Sequence, residues 1–266
     1  MKLFGRLGIA FAIMLLFGLL AGPVSADTFI GCPTGSFDGN VEVVGDCIIA
    51  EGTTIDGNIK IKDGFLDVRG TVDGNIEQEG DANGNDQGEA VEVGATGVVN
   101  GNITERDGGN VWIDGTVNGN IKEKDDGNVI LFNVPDFPGG PIFGIVNGNI
   151  EEEGLGAVIV GSLLNGNVKE KDRGSVVVRG SVHGNIKEEG QGSIVVDDSG
   201  SVNGNLKEKD AGRIVIRGTV SGNAKEEGDG DVNIDVTGVV DGNVTEKDDG
   251  TVNNNGTVTG KIDSSD

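Results

Sequence analysis

The sequence predicts an all-β, single-domain parallel β-helix, a three-sided β-solenoid with about 18 residues per coil. One observation is a recurring Gly-Asn pair, whose asparagines Asn149, Asn167 and Asn185 are 18 residues apart. A second is the period-two alternation of apolar or small residues with polar ones, which is typical of strands and not of helices. Because the turn pairs that would make hairpins are in the wrong places, we expect a coil that stacks equivalent positions.

Residues 1–26 have the features of a secretory signal peptide. Lys2 and Arg6 precede an apolar run, and Val24-Ser25-Ala26 supplies the small residues that a signal peptidase recognises. No later apolar run approaches the roughly 18 residues that span a bilayer. We therefore expect a secreted, periplasmic or cell-surface protein without a membrane span. A lipoprotein with Cys32 as its anchor stays open as an alternative.

The composition is strongly acidic. Removing residues 1–26 leaves 18 basic residues against 44 acidic ones, a net charge of -26. Nucleic acids and anionic membranes need a basic face, so this balance argues against both as partners. It favours cations, basic partners or solubility alone.

Cys32 and Cys47 are the only cysteines. In an exported chain they would form a disulfide. Closing a loop of this size contributes about 3 kcal/mol in the chain-entropy model. We expect residues 27–48 to form an N-terminal cap, residues 49–262 to form the solenoid, and residues 263–266 to form a polar tail.

Equivalent residues of a stacked coil should form ladders about 4.8 Å apart. The asparagines of the Gly-Asn pairs would then make a structural ladder in which side-chain amides hydrogen-bond from rung to rung. Its clearest members are Asn102, Asn120, Asn149, Asn167, Asn185, Asn205, Asn223 and Asn243.

Two sequence variants alternate from coil to coil, "KEKD" and "KEEG". In the stack, Lys171 would lie between Glu153 and Glu189, which is favourable, whereas like charges directly opposite each other are destabilising. Asp172 likewise alternates with glycine, so the alternation spaces charges along a parallel stack. One column, which includes Glu170 and Glu188, is acidic at every rung. Burying ionised carboxylates is costly, so we expect a corner to turn this column outward, neutralised by lysines or binding divalent cations.

Two insertions interrupt the repeat, at residues 80–90 and 132–143. The first places Asp81, Asn83, Asn85, Glu89 and Glu92 at the ligand spacing of a calcium loop. Asp86 stands where such loops have glycine, and a polar surface loop explains the same residues. No cofactor is required by the sequence; calcium is the one candidate.

The second insertion is rich in proline and carries Phe132, Phe137 and Phe143. An apolar loop of this kind either folds back on one face as a lid or presents a patch to a partner.

No catalytic residues are predicted, because no nucleophile has a nearby base and no His/Cys cluster is present. His183, the only histidine, resembles the catalytic histidine of hexapeptide acyltransferases. The aliphatic residues that those coils need on all three faces are missing, however, and we interpret His183 as a surface substitution.

The recurring "V-x-G-N-I" followed by "V-x-V-x-G", as in "SVVVRGSVHGNIKEEGQGSIVV", resembles the bactofilin family from about Gly57 to Ile262. The resemblance implies a right-handed β-helix that polymerises end to end without nucleotide. Two features depart from the family, the signal peptide and the glutamate after "GNI-x".

These observations favour an exported structural scaffold that is not an enzyme and associates with itself through its ends, with a cell-surface or matrix component as a further partner. A parallel β-helix leaves unpaired strands at its ends unless something caps them, and "GTVTGKIDSSD" shows no cap. The alternative is an adhesin or binding module that uses the acidic face or the Phe-rich loop. A polysaccharide-active enzyme is the third hypothesis.

Overall fold

The computed structural model describes residues 28–80, 88–134 and 142–265. These residues contain no helix and build three long parallel sheets, wound as a β-solenoid of about 12 coils. Val168 pairs with Ile186, one coil of about 18 residues later. Each coil therefore lies in register on the previous one, and the predicted fold class is confirmed. Nothing among the described residues forms a helix long and apolar enough to cross a bilayer.

Each coil contributes strands to the three sheets, here named A, B and C. Sheet A consists of β1 (Thr28–Ile30), β3 (Asn40–Val44), β6 (Ile59–Lys62), β9 (Ile76–Glu79), β12 (Ile103–Glu105), β15 (Ile121–Asp125), β20 (Ile150–Gly154), β23 (Val168–Asp172), β26 (Ile186–Gly190), β29 (Leu206–Asp210), β32 (Ala224–Gly228), β35 (Val244–Lys247) and β38 (Ile262–Ser265).

Sheet B has the shortest strands. It consists of β2 (Phe37–Asp38), β5 (Thr54–Asp56), β8 (Thr71–Val72), β11 (Val98–Val99), β14 (Thr116–Val117), β19 (Ile145–Val146), β22 (Leu163–Leu164), β25 (Ser181–Val182), β28 (Ser201–Val202), β31 (Thr219–Val220), β34 (Val239–Val240) and β37 (Thr257–Val258).

Sheet C is the most aliphatic. It consists of β4 (Cys47–Ile49), β7 (Leu66–Val68), β10 (Glu89–Val93), β13 (Asn110–Ile113), β16 (Val129–Leu131), β21 (Val158–Val160), β24 (Val176–Val178), β27 (Ile194–Val196), β30 (Ile214–Ile216), β33 (Val232–Ile234) and β36 (Val252–Asn254). A short antiparallel pair, β17 (Asn133–Val134) and β18 (Ile142–Phe143), lies at the second insertion.

A narrow aliphatic core runs along the inside of the three sheets. Side chains alternate inward and outward, so that in β24 Val176 and Val178 are buried and Val177 between them is half-buried. Val182 in sheet B and Ile186 in sheet A complete the interior of the same coil. The inner coils thus remove a similar set of apolar side chains from water, which is the main favourable contribution to folding.

The two ends of the repeat extend further than the sequence boundaries suggest. Residues 28–48 form strands of the solenoid itself, because β2 pairs with β5 and β3 pairs with β6. The disulfide between Cys32 and Cys47 joins this first coil, with 5.2 Å between the two Cα atoms. At the other end, β38 pairs with β35 through Ser265. Residues 263–265, expected in a polar tail, therefore belong to sheet A.

The acidic column expected to turn outward is buried inside the solenoid, so that expectation is wrong. Strict alternation continues through it, and in β15 both Ile121 and Glu123 point inward. One carboxylate oxygen, Oε1, accepts a hydrogen bond from the glycine N–H four residues later, as from Gly174 to Glu170 at 2.8 Å. The prediction that the column turns outward did not take this backbone N–H donor into account. The members of the column, all 0% exposed, are Glu105, Glu123, Glu152, Glu170, Glu188, Glu208, Glu226 and Glu246.

The alternation of aspartate with glycine has a steric cause in addition to charge spacing. Asp172 has a φ of 88°, which points its carbonyl oxygen along the stack toward the next coil, where it accepts a hydrogen bond from the N–H of Gln191 at 2.6 Å. A Cβ atom on Gly190 would lie 1.8 Å from that oxygen. A side chain at residue 190 would therefore collide with the backbone of the preceding coil, which explains the glycine at this rung. The exclusion is specific to such rungs, because Asp107 and Asp125 occupy this position on consecutive coils.

Replacing Gly190 by alanine should therefore destabilise the protein by about 1–3 kcal/mol, the usual cost of forcing an extra methyl group into a filled space. Equilibrium denaturation in urea measures the change in the free energy of unfolding. The matched control is Gly35→Ala, because a Cβ on Gly35 meets nothing within 4 Å. Equal effects of the two substitutions would contradict the steric explanation.

Candidate assembly surfaces

The asparagines of the Gly-Asn pairs form a continuous ladder along one corner of the solenoid. From Asn40 to Asn205, each Oδ1 accepts two hydrogen bonds from the asparagine of the next coil, one from the backbone N–H and one from Nδ2. For Asn205 donating to Asn185 these distances are 2.9 and 3.0 Å. The ladder begins at Asn40 and ends where the backbone N–H of Lys261 donates to Asn243 at 2.9 Å. This corner is thus bonded from coil to coil by side chains as well as by backbone.

A second, shorter polar ladder explains His183. Asn165 donates from Nδ2 to the Oδ1 of Asn147, and Asn165 Oδ1 lies 2.9 Å from the ring Nδ1 of His183. The histidine is exposed and occupies the next rung of the ladder. Its contact is with an amide, in keeping with the interpretation of His183 as a surface substitution.

Oppositely charged side chains alternate on the outward face of sheet A. Glu153 pairs in register with Lys171, and Lys171 with Glu189. Lys171 forms ion pairs with Glu153 and with Glu151, the latter at 2.6 Å. The hydrogen bond from Lys171 is the main reason why the pKa of Glu153 falls to about 2. These side chains are about 30% exposed, so we expect each pair to contribute modestly to stability.

A neighbouring outward column stacks four lysines directly on one another, Lys169, Lys187, Lys207 and Lys225. Their partners are the outward glutamates and not the buried ones. Glu189 contacts Lys187 and lies 2.9 Å from Lys169, and hydrogen bonds from these two lysines lower its pKa to about 2. Glu227 is placed in the same way between Lys207 and Lys225. Each of these lysines contacts a carboxylate of the next column, and these contacts offset the repulsion between the stacked positive charges.

The calcium-loop residues are only partly described. Asp81, Asn83 and Asn85 lie outside the described residues, and Glu89 and Glu92 lie on β10. Burial and the nearby carboxylates of Asp67, Glu89 and Asp114 raise the pKa of Glu92. Within residues 28–80, 88–134 and 142–265, no group of three or more His, Cys, Asp or Glu side chains is arranged to hold a metal ion.

The second insertion begins with an aromatic contact. Phe132 lies against Trp112, with ring centroids 4.9 Å apart and planes inclined by 44°. Phe132 also borders a shallow hollow with Ile130 and Ile159. Phe143 on β18 is 48% exposed, and Phe137 lies outside the described residues. The structure therefore places Phe132 on the solenoid face and leaves Phe143 open to solvent.

The last coil departs from the repeat at three stacked positions. Asn254 pairs with Ile234 of the preceding coil, Lys261 replaces the ladder asparagine, and Ser264 pairs with Glu246. Three apolar side chains remain at this end: Val252 and Val258 are partly buried, and Ile262 is 46% exposed. Comparing every column of the repeat in the sequence would identify these three substitutions.

The opposite end of the solenoid is covered differently. Cys32 and Phe37 pack against the core there and are partly buried. The disulfide holds Cys32 on Cys47, whose side chain is itself buried. The two ends therefore present unlike surfaces.

Residues 47–132 match the family model of bactofilin, described as polymer-forming cytoskeletal. The matched segment runs from β4 to the beginning of the second insertion. With the parallel solenoid, this match fits a bactofilin-like β-helix protein, as the recurring valine and Gly-Asn pattern predicts. Comparisons with curated proteins and with solved structures found no match.

Replacing Asn185 by alanine should lower the free energy of unfolding by about 1–2 kcal/mol, because the N–H and Nδ2 groups of Asn205 lose their acceptor. Thermal and urea denaturation measure the change. Asn203→Ala is the matched control: Asn203 is exposed, and within the described residues its side chain forms no hydrogen bond. Equal stability of the two variants would show that the ladder contributes nothing.

Proposed function

We propose that this protein is an exported structural scaffold whose solenoids stack through their ends into longer assemblies. The family match supports a self-assembling structural role, since the matching family is described as polymer-forming. Our proposal adds to this structural role the surfaces through which the copies make contact and the export of the protein. The partner is foremost a second copy of the chain, in an envelope, matrix or appendage.

The observation that carries this proposal is the state of the last coil. Among the described residues, β36, β37 and β38 each lie at the edge of their sheet and pair on one side alone. Unpaired N–H and C=O groups in such edges are templates for pairing with another chain. Val252, Val258 and Ile262 each lie on one of these strands and are incompletely buried. A partner at this end would satisfy backbone groups and cover apolar surface together.

Asn254, Lys261 and Ser264 give this contact its selectivity. They place polar groups where the inner coils have an aliphatic residue, the ladder asparagine and the buried glutamate. Terminal repeats of solenoids are commonly polar in this way, which limits non-specific aggregation. The joining surface must therefore match polar groups as well as the three apolar side chains.

Export is supported by the sequence at the N-terminus and by the disulfide. Residues 1–26, outside the described part of the chain, have the order of charges and apolar residues of a signal peptide. The Cys32–Cys47 bond of the first coil is of a kind that persists in oxidising compartments.

Replacing Val258 by lysine should abolish assembly and leave the coil folded, because a lysine at an edge strand opposes strand pairing. Negative-stain electron microscopy and sedimentation velocity of the purified protein measure the assembly. The control is Leu155→Lys, which adds the same charge at a residue that is 57% exposed and far from both ends. We expect filaments from the wild type and from the control, and short rods from Val258→Lys.

Short rods from the wild-type protein at high concentration would refute the scaffold. Filaments from Val258→Lys would keep self-assembly and reject this end as the contact.

The hollow beside Phe132 supports a second candidate, a binding module. The ring of Phe132 against Trp112, with the exposed Phe143, is an apolar surface next to a hollow. Under this hypothesis, deleting residues 132–143 abolishes attachment to cells or matrix while the circular dichroism spectrum is unchanged. Unchanged attachment would reject it.

A further inference from the structure

In the buried glutamate column, one oxygen atom of every member except Glu246 lacks a hydrogen-bond partner. Each Oε1 accepts a glycine N–H, but the Oε2 atoms of seven members are buried and have no donor. They belong to Glu105, Glu123, Glu152, Glu170, Glu188, Glu208 and Glu226. In β35, at the end of the column, Ser264 donates to Glu246 Oε2 at 3.3 Å. A buried oxygen without a donor costs free energy, and most such atoms in proteins are satisfied.

No positive side chain compensates the column. None of the ion pairs between described residues includes a member of it; their lysines and arginines contact outward carboxylates or Asp67. Sheets B and C turn aliphatic side chains, such as Val182 and Val176, toward the interior. The charged groups that do act on the column are acidic. They are the neighbouring column glutamates and the turn aspartates, among them Asp107, Asp172 and Asp248.

The same column contains a neutral counterpart of glutamic acid. Gln78 pairs in register with Glu105 and is also 0% exposed. Its Nε2 donates to the carbonyl oxygens of Gly64 and Gly80 at 3.1 and 2.9 Å. Before Gln78 the column is aliphatic, with Val43 and Ile61. The interior thus accepts an uncharged amide where later coils have glutamate, and a protonated carboxyl group has the same shape and lacks a charge.

We propose that the interior glutamates are a proton-binding ladder, in which neutral carboxylic acids donate O–H hydrogen bonds from rung to rung toward the unpartnered oxygens. Each acid then has one donor, its O–H group, and Oε1 stays the acceptor for the glycine N–H. The bound ligand is the proton. The inference is independent of the scaffold proposal, since it concerns the interior of a single chain.

The electrostatics of the column agree with this assignment. For six members of the column, burial is the largest cause of a pKa above the usual 4.5. The values are about 9 for Glu105, about 8 for Glu123, about 7 for Glu152 and Glu226, and about 10 for Glu170 and Glu208. At neutral pH, the groups with the highest values are protonated in the folded protein.

The ladder makes stability depend on pH in a defined direction. Above pH 4.5 a glutamate of the unfolded chain is ionised, whereas Glu170 keeps its proton in the folded chain up to about pH 10. The folded state then binds more protons, so stability falls as pH rises across this interval. Each such acid multiplies the unfolding equilibrium constant by about ten per pH unit. Below pH 4.5 both states are protonated and the dependence disappears.

Infrared spectroscopy tests the ladder directly. The purified full chain at pH 7 should show the C=O stretch of protonated carboxylic acid, and the band should weaken in the double variant Glu170→Gln, Glu208→Gln. Glu189→Gln is the matched control, because Glu189 is outward and ion-paired with Lys169; it should leave the band unchanged. A wild-type spectrum without the band would overturn the proposal. Bound metal ions, found by elemental analysis in place of the band, would do the same.

Unfolding experiments give an independent measurement. Between pH 5 and pH 9, the unfolding equilibrium constant rises by some factor with each pH unit. For Glu170→Gln that factor should be about ten times smaller than for the wild type. Glu189→Gln should not show this reduction. Equal slopes for Glu170→Gln and the wild type would overturn the proposal. If the glutamine variants do not fold, the infrared spectrum of the wild type still decides the question.

Discussion

Each coil lies in register on the coil before it, and this stacking is the constraint on which the rest of the structure depends. Strands in a sheet are about 4.8 Å apart, so every side chain has the equivalent residue of the next coil as its nearest neighbour. A residue type can therefore recur along a column only if its side chain can lie directly against another copy of itself. Valine, isoleucine and leucine tolerate it by packing, as Val176, Ile194 and Ile214 do in sheet C.

Polar residues meet the same constraint in different ways. Asparagine carries both a donor and an acceptor, so Asn185 can accept from one neighbour and donate to the other. Outward charges alternate in sign, as Glu153 and Lys171 do. Interior glutamates accept a glycine N–H through one oxygen and leave the other facing the ladder. For the asparagines and the outward charges, hydrogen bonds and ion pairs run from coil to coil, whereas the glycine donor of each glutamate belongs to the same coil.

This arrangement bears on function because it produces a rod with a repeating side and two unlike ends. The sides carry ladders and ion pairs from coil to coil, whereas among the described residues β36, β37 and β38 pair on one side alone, with Val258 on β37 and Ile262 on β38. The scaffold proposal rests on this difference between the inner coils and the edge strands. The Phe132 region adds aromatic surface to the outward face of sheet C, where Trp112 and Ile130 already stack in register.

The sequence by itself determined the coil length, the three-sided parallel fold, the asparagine ladder and the alternation of outward charges. All of these follow from period and residue type, which are local and repeated. Only the tertiary structure decided that Glu170 and its equivalents are interior, because the decision depends on a glycine N–H brought near the carboxylate by the turn. It also decided why Gly190 follows Asp172, since the clash involves a carbonyl oxygen of another coil. The first feature depends on a turn within one coil and the second on a contact between two coils, and residue type alone encodes neither.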